Sequence, residues 1–154
     1  MPERAFRLAE RDSKESRMVE LTMHQVDTKG QGDVRDLTAI VARALHASTL
    51  KSGLATIAVI GSTAGVTSIE FEPGAVADLN RVWDQLAPKD GTYEHHLRWG
   101  DDNGSSHVRA AMLGPSLSIP FEAGRLLVGT WQQIVLIEFD TRPRTREVVV
   151  QLLG

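Results

Sequence analysis

The chain has 154 residues, 42% of them hydrophobic and 24% charged, and this size and composition suit one globular domain with a sizeable core. Its formal net charge of -3 is spread over residues of both signs, so overall electrostatics gives no support to nucleic-acid binding or to binding at a membrane surface. Cysteine is absent, which excludes disulfides, thiolate zinc sites and a cysteine nucleophile, and fits a reducing compartment such as the cytoplasm.

The first 17 residues mix basic and acidic side chains and lack the apolar stretch of a secretory signal. We expect a solvated N-terminal arm over residues 1–17, followed by a single domain over residues 18–154. No window of the sequence approaches the roughly 20 apolar residues that a membrane-spanning helix needs.

The first half of the domain alternates strand and helix patterns. Residues 18–27 alternate between apolar and polar and predict a half-buried strand, with one face made of Val19, Leu21 and Met23. Asp33 has the character of a helix N-cap, and the apolar spacing after it predicts a helix that continues until Gly53. The nearly unbroken apolar run at 54–60 predicts a buried strand.

The second half begins with a glycine-containing turn at 61–65 and a strand over 66–72. Pro73 suits the first position of a second helix, and residues 88–104 form a long polar connection. A brief helix follows, capped by Ser105 or Ser106 and ended by Gly114. Three further strands are predicted over 116–121, 126–139 and 147–153, the second of them continuous or broken near Gly129.

This order of elements favours an α+β fold with a mainly antiparallel β-sandwich and two or three helices. Residues 134–137 and 148–150 are apolar at successive positions, so both faces of these strands require cover. Either a second sheet or another subunit can supply that cover.

A polar loop holds the densest group of chemically active side chains. Thirteen residues, 95–107, contain His95, His96, Asp101, Asp102, Asn103 and His107. Imidazoles and carboxylates are common ligands of divalent metal ions, although the spacing matches no established zinc motif. Adjacent histidines in an extended strand point to opposite sides, so only one of His95 and His96 faces such a cluster. The alternative is a polar surface loop whose Asp, Asn and Gly residues form turns.

The second candidate is the turn Gly61–Gly65. The hydroxyls of Ser62 and Thr63, together with free backbone N–H groups, suit a phosphate or carboxylate, whereas a tight hairpin or β-bulge is the alternative. Glu70 suits a general base or a ligand, or else faces solvent. Arg109 can supply charge for an anion, or be a solvated helix residue. Gln132 can anchor a loop or contact a ligand, and the arginines at 142, 144 and 146 suggest an exposed hairpin tip.

Four stretches in order, "GSTAGVTSIEFEPG", "DDNGSSHVRAAMLGPSLSIPF", "GRLLVGTWQQIVLIEFD" and "RPRTREVVV", resemble the YjbQ-like family, whose members are named secondary thiamine-phosphate synthase enzymes. The resemblance runs from about residue 18 to the end. It implies an α+β sandwich that forms a trimer, with a site near the subunit contacts built from Ser62, Thr63, Glu70, His96, Asp101, Asn103, His107 and Gln132. Three positions depart from the family pattern: Gly61 and Ser106 stand where histidine is frequent, and Ile69 precedes Glu70 where many members have an Asn–Glu pair.

Together these observations predict a cytoplasmic homotrimeric enzyme, a transferase of the thiamine-phosphate synthase type, acting on a small phosphorylated or anionic substrate. The predicted catalytic residues are Glu70, Asp101 and His107, and the predicted ligand-binding residues are Ser62, Thr63, Asn103, Arg109 and Gln132. A divalent metal, Zn²⁺ or Mg²⁺, would be held by His96, Asp101 and His107. The main alternative is a non-catalytic trimer that binds a metal or a small anion, and the third is a purely structural assembly.

Overall fold

The computed structural model describes residues 18–154, so the expected arm at 1–17 lies outside the described residues. The strands are β1 (Val19–Thr28), β2 (Val34–Asp36), β3 (Ser52–Ile60), β4 (Ala64–Ile69), β5 (Ser116–Glu122), β6 (Arg125–Leu126), β7 (Gln133–Glu138) and β8 (Arg144–Leu153). The helices are α1 (Thr38–Ala47), α2 (Pro73–Leu86), α3 (Glu94–Trp99) and α4 (Gly104–Leu113).

The strands form two antiparallel sheets, one of five strands in the order β1-β8-β3-β5-β6 and one of three in the order β2-β7-β4. Side chains from both sheets and from α1 share one core, which includes Val41, Val66 and Val150. A second core lies between the three-stranded sheet and helices α2 and α4, where Trp83 meets Phe139 edge-to-face with ring centroids 5.2 Å apart. The predicted α+β sandwich is confirmed, with four helices in the described part of the chain.

Strand β7 is covered on both faces within one chain. Ile134 and Leu136 belong to the core between the sheets, whereas Val135 and Ile137 belong to the core under α2 and α4, and all four are fully buried. The second sheet and the helices therefore supply the cover that the apolar run 134–137 requires, and this strand needs no second subunit.

Strand β1 directs its apolar side outward. Val19, Leu21 and Met23 are 58%, 55% and 54% exposed, so the apolar face of the predicted strand is not the covered one. The register with β8 explains this, because His24 lies opposite Val148, whose side chain points into the core. We call the exposed apolar surface of the five-stranded sheet the outer sheet face; its members are Val19, Leu21, Met23, Leu54, Ile60 and Leu153.

The first predicted helix is wrong at both ends. Val34–Asp36 forms β2, which pairs with β7, and the helix is limited to Thr38–Ala47. Asp33 is not its N-cap, because its carboxylate accepts a hydrogen bond from the N–H of Lys29 at 2.8 Å. Gly53 does not end the helix but lies inside β3. The alternation of a three-residue strand was hidden in a pattern that also fitted a helix.

The polar connection at 88–104 contains a helix that its composition did not indicate, α3. Helix α4 begins at Gly104, with Asn103 in the N-cap position and no side-chain capping bond, so neither Ser105 nor Ser106 is the cap. Pro73 does begin α2, where the carboxylate of Glu72 accepts hydrogen bonds from the first turn. Within residues 18–154, no helix combines the length and apolar character needed to cross a membrane.

Candidate functional site

The turn between β3 and β4 forms one wall of the candidate site. Gly61 has a φ of +147°, a conformation that favours glycine, and Ser62 is exposed. Thr63 is buried, and its hydroxyl donates to Asp140 Oδ2 at 3.1 Å and accepts from Arg146 Nη2 at 2.8 Å. The turn is therefore fixed from beneath by an ionic network, while its outer side stays open.

Helix α4 forms the opposite wall. His107 lines a cavity of about 350 Å³ together with Gly61 and Ser62, and Ala110, Ala111 and Pro115 complete its lining. The helix reaches this position because Gly65 on β4 has no side chain. A Cβ there would lie 2.6 Å from Leu113 Cδ2 and 2.7 Å from the carbonyl oxygen of Gly114. Of the predicted site residues, Ser62 and His107 are the two that line this cavity.

His107 is accompanied by His95 rather than by His96. The rings of His95 and His107 have centroids 4.6 Å apart with planes inclined by 36°. Asp101 Oδ1 lies 3.0 Å from His95 Nδ1, a close contact that lacks the alignment of a hydrogen bond. These three side chains form the Asp101–His95–His107 cluster, which adjoins the cavity through His107.

His96 has a different role. Its Nε2 accepts a hydrogen bond from the N–H of Gly104 at 3.0 Å, which ties α3 to the start of α4. Its other neighbours, Lys89, Asp90, Gly91 and Asp102, surround a separate polar depression. Of the two adjacent histidines, His95 is therefore the one that meets Asp101 and His107 within one chain, whereas the predicted metal set contained His96.

The predicted metal set is not assembled within one chain. Among residues 18–154, no three or more His, Asp or Glu side chains converge in a way that could hold a metal ion. Asp101 and His107 are linked only through His95, and His96 is committed to Gly104. The donor set of the single chain does not fit Zn²⁺ or Mg²⁺ as a resident cofactor.

The start of α4 contains buried polar atoms without partners among the described residues. They are Asn103 Oδ1, Ser105 Oγ and Ser106 Oγ, and both serines are at most 1% exposed. Asn103, predicted to bind ligand, thus lies one turn from His107 at the N-terminal end of the helix. Buried polar groups are normally hydrogen-bonded, so these three oxygens are unusual, but none of the three residues lines the cavity beside His107.

Arg109 does not reach the cavity. Its guanidinium is 1% exposed, and it donates to the carbonyl oxygen of Ala87 and to Asp84 Oδ1, the latter at 2.8 Å. It therefore joins the end of α2 to α4. Neither the predicted ligand contact nor the alternative of a solvated helix arginine matches this position.

Glu70 and Gln132 lie at the far end of β4 from the turn. Glu70 is exposed just after β4 ends at Ile69, and Gln132 donates to Ser68 Oγ at 3.0 Å. Six residues at about 3.3 Å each separate the two ends of β4 by roughly 20 Å. Within one chain, the predicted site residues therefore fall into two groups, and Gln132 anchors its own loop by accepting from the N–H of Gly129.

Sequence reasoning missed the network under the turn. Arg146 donates from Nε to Glu138 Oε2 at 2.7 Å, and Arg144 donates from Nε to Asp140 Oδ2 at 2.8 Å. Both carboxylates are at most 2% exposed. Strand alternation was the available signal, because it places Arg146 on the same inward face as Val148.

Burial disfavours the charged form of Asp140. Hydrogen bonds from Arg144 and Thr63, the positive charge of Arg144 and the N–H of Thr141 outweigh that effect and hold the pKa of Asp140 below its ordinary value. The carboxylate is therefore charged at neutral pH and holds Thr63 in place.

Comparison with known proteins assigns the chain to a family. Residues 22–154 match the family model described as UPF0047 protein YjbQ-like. The chain is 33% identical over 135 residues to a UPF0047 protein of Methanocaldococcus jannaschii, covering 87% of this chain and 94% of that protein. It is 32% identical over 131 residues to the UPF0047 protein YugU of Bacillus subtilis, covering 84% and 96% of the two chains.

Solved structures agree with these matches. The crystal structure of a YbjQ-like protein of unknown function from Sulfolobus solfataricus has a TM-score of 0.80 and 28% identity, covering 89% of this chain and 99% of that one. A second, from Clostridium acetobutylicum, has a TM-score of 0.71 and 32% identity, covering 82% and 97%. None of these relatives carries a thiamine-phosphate synthase activity in its name. By sequence and by fold, the chain belongs to the UPF0047 YjbQ-like family.

Proposed function

We propose that this protein is an enzyme that acts on a small phosphorylated substrate in the cavity between the Gly61–Thr63 turn and α4. The observation that carries the proposal is that His107 and Ser62 line the same cavity of about 350 Å³. Such a space suits a small ligand. An acid–base side chain on one wall and hydroxyl and amide donors on the other match the needs of phosphate-ester chemistry.

The turn supplies the anion-binding side of the proposal. Among residues 18–154, none accepts a hydrogen bond from the N–H of Ser62 or Thr63. Successive free N–H groups in a turn form a concave site for anions. The exposed hydroxyl of Ser62 adds a further donor at the mouth of the same turn.

The Asp101–His95–His107 cluster supplies the acid–base side. Asp101 contacts one nitrogen of His95, and the His95 ring packs on His107. A carboxylate that orients an imidazole is a recurring arrangement in acid–base catalysis. In this proposal His107 exchanges a proton with the substrate, while His95 and Asp101 fix its orientation.

The specific reaction that the family resemblance suggests is thiamine-phosphate synthesis. A thiazole phosphate nitrogen attacks a carbon of a pyrimidine diphosphate, so a C–N bond forms, a C–O bond breaks and pyrophosphate leaves. Donors at the turn would stabilise the leaving pyrophosphate. The names of the relatives do not mention this reaction. It is the first reaction to assay.

The same proposal includes a homotrimer with the site close to a subunit contact. Two observations favour assembly: the six apolar residues of the outer sheet face are 37–58% exposed, and Trp131 and Leu127 on the loop before β7 are 71% and 60% exposed. Exposed apolar surfaces of this kind commonly mark interfaces. A cyclic trimer joins two different surfaces of neighbouring copies, which would let Glu70 and Gln132 of one copy approach the turn of another.

The alternative is a non-catalytic protein that binds a metal ion or a small anion. In this alternative the protein is also a trimer and the turn also binds the ligand, but His107 transfers no proton. The same cavity supports this alternative, because a space of about 350 Å³ that is lined by Ser62 and His107 suits a bound ligand as well as a reacting one.

One set of measurements separates these proposals. Untagged protein is titrated with inorganic pyrophosphate, its metal content is measured, and turnover of hydroxymethylpyrimidine diphosphate with thiazole phosphate is followed with and without Mg²⁺ or Zn²⁺. Pyrophosphate binding that weakens at least tenfold in Ser62→Ala or His107→Ala supports the cavity. Turnover supports the synthase reaction, and binding without turnover of any phosphorylated substrate supports the alternative. Absence of pyrophosphate binding overturns the proposal.

A further inference from the structure

The strongest unexplained feature of the molecule is a buried arginine directly behind the turn. The side chain of Arg146 is 9% exposed, and Glu138 accepts hydrogen bonds from its Nε and Nη2. Nη2 also donates to the hydroxyl of Thr63. Among residues 18–154, none accepts a hydrogen bond from Nη1.

The unpartnered Nη1 is directed at Gly61. A Cβ built on Gly61 would lie 2.9 Å from Nη1, closer than real side chains approach, and no other atom but the Arg146 Cζ comes within 4 Å of it. Gly61 lines the cavity opposite His107. A side chain at position 61 would therefore meet Nη1, and because position 61 is glycine the guanidinium lies directly against a residue that lines the cavity.

The orientation of the Arg146 guanidinium also favours an anion on this side. The two carboxylates of Glu138 and Asp140 neutralise the charges of Arg144 and Arg146. Glu138 accepts hydrogen bonds only from Nε and Nη2 of Arg146, so Nη1 is not used in this ion pair. The edge that carries Nη1 lies on the side of Gly61. An anion at the turn thus meets an arginine edge whose orientation is already fixed and needs no reordering.

We propose that Arg146 is the cationic residue of the anion site, acting on a phosphate or pyrophosphate group bound at Gly61–Thr63 through the gap that Gly61 leaves. This inference rests on the proposed function, since it assigns the charge that the turn itself lacks. It replaces Arg109, which is committed to Ala87 and Asp84. The chemical class of ligand is a phosphate monoester or diphosphate.

The test compares two buried arginines by calorimetric titration with inorganic pyrophosphate. Arg146→Lys retains a positive charge near Glu138 but removes the second edge of the guanidinium. Arg109→Lys makes the same chemical change at an arginine that faces α2. We expect affinity to fall at least tenfold in Arg146→Lys and to stay within twofold in Arg109→Lys, with both variants folded by circular dichroism.

A second pair of variants serves if Arg146→Lys does not fold. Gly61→Ala inserts a methyl group between the turn and Nη1, whereas Gly124→Ala also stands at a positive φ, +71°, with nothing within 4 Å of the new Cβ. A loss of pyrophosphate affinity in Gly61→Ala alone supports the inference. If the wild-type protein binds pyrophosphate and both Arg146→Lys and Gly61→Ala bind it equally well, the role of Arg146 is rejected while the proposed function stands. If the wild-type protein does not bind it, both are rejected.

Discussion

The ring of His107 packs on the ring of His95, with centroids 4.6 Å apart, and Asp101 lies 3.0 Å from the far side of that pair at His95 Nδ1. His107, which lines the cavity, is therefore linked to the Asp101 carboxylate only through His95. This order gives His95 a positioning role, because it is the only one of the three that contacts both others.

Replacement of His95 should therefore weaken the site without removing it. In His95→Ala we expect pyrophosphate affinity, and any turnover, to fall about three- to tenfold, because His107 loses the ring that fixes its orientation. The loss in His107→Ala should be larger. His46→Ala, an exposed histidine in the last turn of α1, is the control. Equal losses in His95→Ala and His46→Ala would contradict the positioning role.

Replacement of Arg109 should affect stability and not ligand binding. Arg109→Met removes the hydrogen bonds to Ala87 and Asp84 and leaves a buried carbonyl oxygen without a donor. Such a loss costs about 2–4 kcal/mol of the free energy of unfolding. Urea denaturation measures it, with pyrophosphate affinity of the folded variant as the second readout. A variant as stable as the wild type would refute the joining role of Arg109 between α2 and α4.

The pKa of Asp140 predicts how stability depends on acid. Because its folded-state pKa is lowered, the stabilisation is complete above the unfolded value of about 4 and is lost as pH falls through the lower folded value. We expect the free energy of unfolding of the wild type to decrease steeply below about pH 4. Asp140→Asn should be less stable at pH 7 and show a shallower decrease. Parallel curves for the two proteins would contradict this assignment.

The outer sheet face predicts the assembly state. The double variant Leu21→Glu and Met23→Glu places two charges among its apolar residues, so we expect an oligomer to dissociate to the single-chain mass of 16.9 kDa. Size-exclusion chromatography with light scattering measures the mass. Leu97→Glu, at a residue 75% exposed on α3, is the matched control. A wild-type protein that already runs as a monomer would refute the trimer.

Local patterns predicted much of the fold. The apolar run of β3, Pro73 at the start of α2 and the doubly apolar strand β7 were all recognised, because each has a distinct periodicity or a breaker residue. Strand β2 was not recognised, since three residues are too few to separate alternation from helical spacing. The inward and outward sides of β1 could not be known either, because its partner β8 determines them through long-range pairing.

The candidate site was likewise predicted where local composition was informative and missed where long-range structure decides. The turn at Ser62 and the loop at His107 were identified from their composition, and the structure brings them to one cavity. The sequence indicated that only one of His95 and His96 faces the cluster but not which one, because that depends on the orientation of α3, a helix that the composition did not indicate. Arg146 was assigned to an exposed turn, although alternation along β8 placed it with the buried valines.

Gly65 does not line the cavity, but the close packing of α4 against β4 depends on it. The Leu113 side chain and the Gly114 carbonyl, at the end of α4, pack against the bare backbone of β4 at this glycine, and neither Leu113, Gly114 nor Gly65 lines the cavity. Side chains on either wall, such as Ser62 or Ala111, can therefore be exchanged while the gap between them keeps its width. A scaffold of this kind can accommodate new ligands by changing its lining alone, which makes those two positions the natural starting points for altering what the protein accepts.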